Sequence, residues 1–215
     1  MSQLRLQLAM VIGTVLIFLT ANGINEWLFS RLEFASGMNW VFLPAGIRLL
    51  STLVCGSAGA LGLLISGFLL NFFHFHFSDP LRSIAGAFCG SAGPYLVYLF
   101  AARRYGFASS LAMLTPKRLL VLILLCSAAS PAFHNLFFAL HGGSDNILRS
   151  YVVMFIGDLT GTLIIIYTIK AALAVLPDPR NRPGRAGNTM FRIWQRLVFH
   201  GPARDGAGLR NDMSP

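Results

Sequence analysis

From residue 6 to residue 176, the sequence is a succession of long apolar runs with few charged side chains. A bilayer core about 30 Å thick needs roughly 20 mostly apolar residues for each helix that crosses it. This stretch can therefore hold about six crossings joined by short connections. Charged residues make up 12% of the chain, against roughly 25% in an ordinary soluble domain, which excludes a typical water-soluble fold. We predict an all-α integral membrane bundle of about six transmembrane helices in one domain, 1–176.

The apolar runs predict six spans, at 8–28, 40–54, 58–75, 83–102, 119–140 and 151–176. The division within 40–75 has more than one interpretation, because this is one apolar run whose only lysine, arginine, aspartate or glutamate is Arg48. As a single helix its 36 residues would reach about 54 Å, which is too long for one span. We therefore expect a tight turn at 56–59. Two full spans and a re-entrant hairpin both stay open.

The distribution of lysine and arginine predicts the orientation, because basic connections are retained on the cytoplasmic side. Basic residues follow the fourth span, namely Arg103, Arg104, Lys117 and Arg118, and more follow the sixth. Two spans separate these regions, so they share a face. We predict a multi-pass protein of the bacterial inner membrane with both termini in the cytoplasm. The net charge of +9 is then explained by topology, with lipid as the expected contact and no nucleic-acid partner.

The residues at 177–215 form a basic segment that begins with a polar, proline-rich linker. We expect a cytoplasmic tail. At 189–199 apolar residues recur at the spacing of one helix face, while arginines fall on the other. Such a helix can lie in the membrane interface, where basic side chains are attracted to anionic lipid. A simple retention signal is the alternative interpretation.

Two charged residues are predicted near the middle of the membrane, Arg48 in the second span and Asp158 in the sixth. Charges at that depth are costly unless they are paired or functional. We predict an ion pair between them, which is either a fixed strut or a ligand or proton site. His134 and Asn135 follow Pro131, and we predict that a kink there lets them contact a polar ligand.

The sequence does not favour a metal site, a cofactor or an enzyme. The three cysteines, Cys55, Cys89 and Cys126, lie in apolar runs without the spacing of metal ligands. An intramembrane serine hydrolase would pair Ser91 with His134, but in rhomboid-type proteases the histidine belongs to the final core helix, and the sixth span here has none.

One short motif occurs twice. Cys-Gly-Ser-Ala-Gly begins at Cys55 and again at Cys89, and an arginine precedes each by seven residues, at Arg48 and Arg82. The flanking residues do not match, so chance is favoured over duplication. In either case small residues allow helix backbones to approach closely in lipid.

Three segments resemble MASE-type integral membrane sensor domains of bacterial signalling proteins. Trp-Val-Phe-Leu-Pro-Ala-Gly-Ile at 40–47 resembles the signature that opens their second helix. Ser-Gly-Phe-Leu-Leu-Asn at 66–71 and Gly-Asp-Leu-Thr-Gly at 157–161 are similar to two later segments. The resemblance implies a domain that senses a small ligand or membrane state, with a sensing site framed by Trp40, Pro44, Gly46, Asn71, Asp158 and Gly161.

Family members commonly have about eight spans and a cytoplasmic output domain, whereas this sequence has fewer spans and no output domain. The resemblance therefore implies action through a partner, such as a histidine kinase or a cyclic-nucleotide enzyme. Transport is the competing class, because substrate-binding S components of energy-coupling-factor transporters are bundles of about six helices of similar size. A scaffold for other membrane subunits is a third interpretation.

Overall fold

The computed structural model describes residues 3–35, 38–75, 79–106, 115–142 and 146–175. These residues form six α-helices: α1 Gln3–Phe29, α2 Pro44–Cys55, α3 Ser57–Leu69, α4 Pro80–Tyr105, α5 Pro116–His141 and α6 Ile147–Val175. A 3-10 turn, Ser30–Leu32, and a short antiparallel hairpin of β1 Glu33–Ala35 and β2 Met38–Asn39 join α1 to α2, and a π-helical turn, Leu70–His74, extends α3. The predicted all-α membrane bundle is confirmed.

Five of the helical segments are long and apolar enough to cross a membrane: Gln3–Leu32, Ser57–His74, Pro80–Tyr105, Pro116–His141 and Ile147–Leu173. The sixth helix, α2, has 12 residues, or about 18 Å of helix. The second span was predicted to begin at Trp40, and this is wrong for the helix, which begins at Pro44. Proline fixes φ and lacks an N–H, so it suits the first turn of a helix, while residues 40–43 before it form bends and a turn rather than helix.

The predicted turn between the second and third spans lies at Gly56, which has φ +57°. An L-residue with a side chain rarely adopts this conformation, and a Cβ here would also lie 3.1 Å from the Tyr98 hydroxyl oxygen. The turn reverses the chain without a loop, so α2 and α3 form a tight helical hairpin. The short helix α2 is thereby held at the centre of the bundle, where it contacts each of the other five helices.

The bundle is apolar outside and carries polar groups inside, which is the distribution that lipid favours. Large apolar side chains such as Leu4, Leu8, Trp27 and Leu140 are well exposed on its surface. Its buried polar residues occur on all six helices and include Asn25, Thr52, Ser66, Ser83, Ser130, Asn135 and Asp158. Since hydrocarbon offers no hydrogen-bond partner, buried polar groups in such a bundle depend on partners within the protein. The chain is a multi-pass membrane protein in contact with lipid.

Consecutive helices run in alternating directions. Arg118 at the start of α5 stacks on Tyr105 at the end of α4, with 5.0 Å between the guanidinium carbon and the ring centroid. At the opposite end, His141 of α5 lies 3.2 Å from Asp79, which precedes α4. The connection with Arg103, Arg104, Lys117 and Arg118 thus lies at the same end of the bundle as the start of α1 and the end of α6. The predicted tail at 177–215, with its interfacial helix at 189–199, lies outside the described residues.

Candidate functional site

A cavity of about 100 Å³ lies among the six helices, large enough for several waters or a small organic molecule. It extends from the middle of the bundle toward the end at which α4 begins and α5 ends. Polar and charged residues from five of the helices, from the hairpin and from the π-helical turn line its wall. They are Asn22 of α1, Asn39 of the hairpin, Arg48 of α2, Asn71 of the π-helical turn, Arg82 of α4, His134 of α5 and Asp158 of α6. The remaining wall is apolar and rich in phenylalanine.

The predicted pair of Arg48 and Asp158 lies at the inner end of this cavity. Nη1 of Arg48 is 3.9 Å from Oδ2 of Asp158, which is longer than the about 2.9 Å of a direct hydrogen bond. The two side chains are 15% and 10% exposed. Among the described residues, Arg48 is the one partner of the Asp158 carboxylate, so this pair is loose and borders a space from which a third group can reach both charges.

Two aromatic rings and one hydroxyl fix the position of the Arg48 guanidinium. Its carbon lies 4.9 Å from the centroid of the Phe42 ring and 5.6 Å from that of Phe18. Nη1 also donates a long hydrogen bond of 3.4 Å to Oγ of Ser130. A guanidinium that stacks on rings keeps its N–H groups in the plane of the fork, where they can bind a carboxylate or phosphate.

The segment between the hairpin and α2 is not helical and packs into a groove on α6. Gly157 and Gly161 lie one turn apart on that helix. The backbone oxygens of Asn39 and Phe42 lie where Cβ atoms on these two glycines would be, so neither position can hold a side chain without a shift. The N–H of Phe42 donates to the oxygen of Gly157 over 3.0 Å. The groove therefore fixes the unwound segment beside Asp158, which follows Gly157.

The start of α2 is fixed by a side chain from α1. Oδ1 of Asn25, a residue that is 1% exposed, accepts a hydrogen bond of 2.8 Å from the backbone N–H of Leu43. This N–H belongs to the residue before the helix and would otherwise lack a partner in the core. On the other side of α2, a Cβ at Gly46 would lie 2.7 Å from Cβ of Ile165 in α6. Close packing on both sides thus determines where Arg48 lies.

Helix α4 presents two glycines to polar groups of its neighbours. A Cβ at Gly86 would lie 2.8 Å from Nδ2 of Asn71, and a Cβ at Gly90 would lie 3.4 Å from Nη2 of Arg48. Nδ2 of Asn71 also donates to the backbone oxygen of Ser83 over 2.9 Å. The small residues that α4 carries here make room for nitrogen donors at the cavity wall.

His134 and Asn135 are adjacent but face different surroundings. His134 lines the cavity, and its Nδ1 lies 2.9 Å from the backbone oxygen of Ser130, so this nitrogen carries the hydrogen. Asn135 is outside the lining and donates through Nδ2 to the oxygen of Pro131 over 2.9 Å. Its Oδ1 is buried without a hydrogen-bond donor among the described residues. Of these two residues, therefore, only His134 is placed to contact a ligand in the cavity.

The other end of the bundle is closed by an apolar cluster. Leu49 and Leu53 of α2 pack there against residues of α4 and α5, namely Val97, Ala101, Leu122, Ile123 and Cys126. Leu49 and Leu122 are 0% exposed. Because this cluster lies next to Arg48 along α2, the cavity does not continue through the described bundle as a pore.

Of the residues predicted for the site, four line the cavity: Arg48, Asn71, His134 and Asp158. Three others do not line the cavity but position the residues that do. Gly161 packs against the segment before α2, Gly46 contacts α6, and Pro44 begins α2. Trp40 is 38% exposed, and its backbone oxygen accepts a hydrogen bond from Oγ1 of Thr160 over 3.2 Å. Trp40 is not among the residues that line the cavity, and its backbone belongs to the segment that packs on α6.

Arg82 lines the cavity, although the predicted fourth span begins only at residue 83 and leaves Arg82 in the connection before it. It is in the first turn of α4, which begins at Pro80, three residues before the predicted span. A signal for it was present in the sequence, because Arg82 precedes the second Cys-Gly-Ser-Ala-Gly motif as Arg48 precedes the first. The two arginines of this repeated pattern line one cavity.

The described residues contain no group of three histidine, cysteine, aspartate or glutamate side chains that could hold a metal ion. His74 pairs with Glu26 at 2.9 Å, and Asn22 donates to the same carboxylate over 2.7 Å, which joins α1 to the π-helical turn that follows α3. The Ser91 hydroxyl donates within its own helix, to the oxygens of Ala87 and Phe88, each over 3.1 Å. Ser91 and His134 thus have separate partners.

Comparison with known proteins gives no relative, because no family model, no curated protein and no solved structure matches this chain. The function is therefore inferred from the cavity and the residues around it.

Proposed function

We propose that this protein is a sensor-type membrane protein of bacterial signalling, in which a small molecule in the cavity changes the packing around Arg48 and Asp158. The observation that carries the proposal is the loose pair of these residues, 3.9 Å apart at the inner end of the cavity. A ligand that binds one state of such a pair more tightly than another shifts the balance between the two states.

The resemblance to MASE-type domains agrees with this proposal. The segments at 40–47 and 157–161, which are far apart in the sequence, pack against each other through the oxygen of Phe42 and Gly161. Asn71, from the third similar segment, lines the same cavity. We place the protein in the bacterial inner membrane with both termini in the cytoplasm, since the basic connection and both ends of the described bundle share one face.

In this proposal the bundle acts on a separate signalling enzyme, a histidine kinase or a cyclic-nucleotide enzyme. The test is gentle extraction of the tagged protein from its own membrane, followed by quantitative mass spectrometry of the proteins that remain attached. A co-purifying kinase or cyclic-nucleotide enzyme, whose activity differs between wild type and Asp158→Asn, would support the sensor. Stoichiometric ATPase subunits without such an enzyme would contradict it.

Transport of a small molecule is the second candidate, and one observation favours it. The unwound residues before Pro44, followed by the half-length helix α2, resemble the broken helices that form binding sites in many transporters. In that case the apolar cluster around Leu49 and Leu122 would have to open during each transport cycle. Movement of a bound ligand across sealed vesicles would support transport over sensing.

A further inference from the structure

The carboxylate of Asp158 is buried at the cavity wall without a hydrogen bond from any residue that the structure describes. Asp158 is 7% exposed and lines the cavity. Its one ionic partner among the described residues is Arg48, at 3.9 Å, which exceeds hydrogen-bond distance. An ionised carboxylate has about four acceptor sites, and leaving them empty in a protein interior costs free energy. Asp158 is therefore suited to accept hydrogen bonds from a cationic group that enters the cavity.

Arg48 lacks acceptors in the same way that Asp158 lacks donors. Nη1 faces Oδ2 of Asp158 and donates one long hydrogen bond, of 3.4 Å, to Oγ of Ser130. Nη2 lies beside Gly90, and within the described part of the chain no group accepts a hydrogen bond from Nη2 or Nε. An arginine has five N–H donors in a fixed fork, so most of them are left for an acceptor in the cavity.

The charges of this pair determine the net charge of a suitable ligand. Arg48 and Asp158 are together formally neutral, and charges interact strongly in an interior of low dielectric constant. A bound anion would be attracted by Arg48 but repelled by Asp158 beside it, and a bound cation would meet the reverse. A ligand that carries both charges on one carbon atom is attracted at each end and adds no net charge to the interior.

The wall beside the pair is apolar. Met154, one turn before Asp158 on α6, lines the cavity, as does Phe18, whose ring centroid lies 5.6 Å from the guanidinium carbon of Arg48. The volume of about 100 Å³ admits a small aliphatic side chain rather than a nucleotide. Arg82 lies about two turns along α4 from the Arg48 contact and has partners of its own, so it is not part of this site.

We propose that the cavity binds an α-amino acid with a small aliphatic side chain, its carboxylate on the N–H groups of Arg48 and its ammonium on Asp158. One loose contact of 3.9 Å is then replaced by two sets of charge-assisted hydrogen bonds, and the ligand joins α2 to α6. This inference deepens the proposed function and rests on it, because it names the ligand class of the same site.

The test uses the purified full chain in nanodiscs of phosphatidylcholine, whose quaternary ammonium has no N–H to donate. Thermal stabilisation is measured with alanine, valine and leucine up to millimolar concentrations. Each is compared with its deaminated acid and its decarboxylated amine, which for leucine are isocaproate and isoamylamine. At least one amino acid should stabilise the protein saturably and bind about tenfold or more tightly than either analogue, since each analogue lacks one charged hydrogen-bonding group.

Three results on wild type would overturn the proposal. They are no response to any amino acid, an analogue that binds as tightly as its amino acid, and equal binding of the neutral amide, which for leucine is isocaproamide. The last result would mean that the pair recognises a neutral dipole rather than two charges.

Substitution of the two charged residues should reverse the preference among the ligands. In Asp158→Asn the amino acid should bind about tenfold or more weakly than in wild type, because its ammonium loses a charged partner. The deaminated acid should bind more tightly than in wild type, because the repelling carboxylate is gone. Arg48→Gln should weaken the amino acid and favour the amine. The matched control is Arg149→Gln, because Arg149 lies over the Phe34 ring at 4.8 Å and does not line the cavity.

The ligands are compared within each variant, so a general loss of stability does not hide a change of preference. A folded Asp158→Asn that keeps the wild-type order of affinities would overturn the proposal. Should either variant fail to fold, the comparison of amino acid, acid, amine and amide on wild type decides.

Phosphatidylethanolamine also presents an ammonium and an anionic group, so a second set of nanodiscs contains this lipid and no amino acid. Stabilisation by the lipid that Asp158→Asn abolishes, without a response to amino acids, would overturn the proposal in favour of a lipid headgroup. Amino-acid binding without any attached signalling enzyme would support this inference and remove the sensor role. An attached signalling enzyme without amino-acid binding would overturn this inference and leave the sensor role standing.

Discussion

The backbone N–H of Phe42 donates a 3.0 Å hydrogen bond to the backbone oxygen of Gly157, which joins the unwound segment before α2 to the middle of α6. One turn further along α6, the oxygen of Phe42 lies against Gly161. Backbone meets backbone here because both α6 residues lack a side chain. The position of Arg48, six residues after Phe42, and the position of Asp158, next to Gly157, are set by the same contact.

A methyl group at position 161 should disturb this contact. In Gly161→Ala the new Cβ would occupy the place of the Phe42 oxygen, so the segment must move. We expect a loss of about 1–3 kcal/mol in the free energy of unfolding, as for overpacked cores. Unfolding in mild detergent measures this, and the emission of Trp40, in a chain without its other tryptophans, reports the shift of the segment.

The control for this change is Gly23→Ala on α1, where no atom lies within 4 Å of the new Cβ. It should leave stability unchanged or raise it slightly, since alanine favours helix over glycine. Equal losses from the two substitutions would mean that the groove on α6 is not the cause.

Removal of the Asn25 side chain should destabilise the start of α2. Asn25→Ala leaves the buried N–H of Leu43 without its acceptor, at an expected cost of about 1–3 kcal/mol. Thr20→Ala is the matched control on the same helix, since the Thr20 hydroxyl is exposed and donates within α1, to the oxygen of Leu16. Denaturation of both variants in the same detergent gives the comparison, and similar costs for the two would argue against a special role of Asn25.

The Arg48 and Asp158 pair should behave as a coupled unit. Arg48→Ala and Asp158→Ala should each destabilise the bundle more than the double variant with leucine at both positions, because each single change leaves one charge alone in the interior. A double-mutant cycle with alanine should give a coupling free energy of about 1 kcal/mol or more. Strictly additive losses would show that the 3.9 Å separation carries no net interaction.

The proposed orientation predicts opposite accessibility for the two ends of α5. In a chain with its three native cysteines replaced, Leu140→Cys should react with a membrane-impermeant maleimide on intact bacterial cells, because Leu140 is 81% exposed at the end away from the basic connection. Lys117→Cys, at the other end, should react after permeabilisation. The reverse pattern would contradict a cytoplasmic location for the basic connection.

Much of this fold could be predicted from composition, because six apolar stretches of helical length leave few alternatives to a membrane bundle. The turn at Gly56 could also be placed, since one helix over 40–75 would be too long for a bilayer. The late start of α2 could not. An apolar sequence such as that before Pro44 is compatible both with a helix and with a non-helical segment. The groove of Gly157 and Gly161 that receives it depends on how distant parts of the chain pack together.

Site residues could be predicted where a charge lies within an apolar run, because placing a charge at that depth costs free energy. They were missed where the charge lies near a helix end. Arg48 and Asp158 lie within apolar runs, so each was conspicuous and the pairing followed. Arg82 lies two residues after the proline that begins α4, and a charge near a helix end needs no explanation in sequence terms. Its place on the cavity depends on how α4 packs against α2 and α5.

The central claim is that the cavity at Arg48 and Asp158 holds a small molecule. The most direct measurement is native mass spectrometry of the protein extracted gently from its own membrane, with wild type, Arg48→Gln and Asp158→Asn side by side. The control is Arg149→Gln, because Arg149 lies over the Phe34 ring at 4.8 Å and does not line the cavity. We predict a stoichiometric small-molecule adduct on wild type and on the control. Arg48→Gln should lose this adduct, and Asp158→Asn should change its occupancy. An adduct that Arg48→Gln retains unchanged, or wild type that carries lipid alone, would contradict the account.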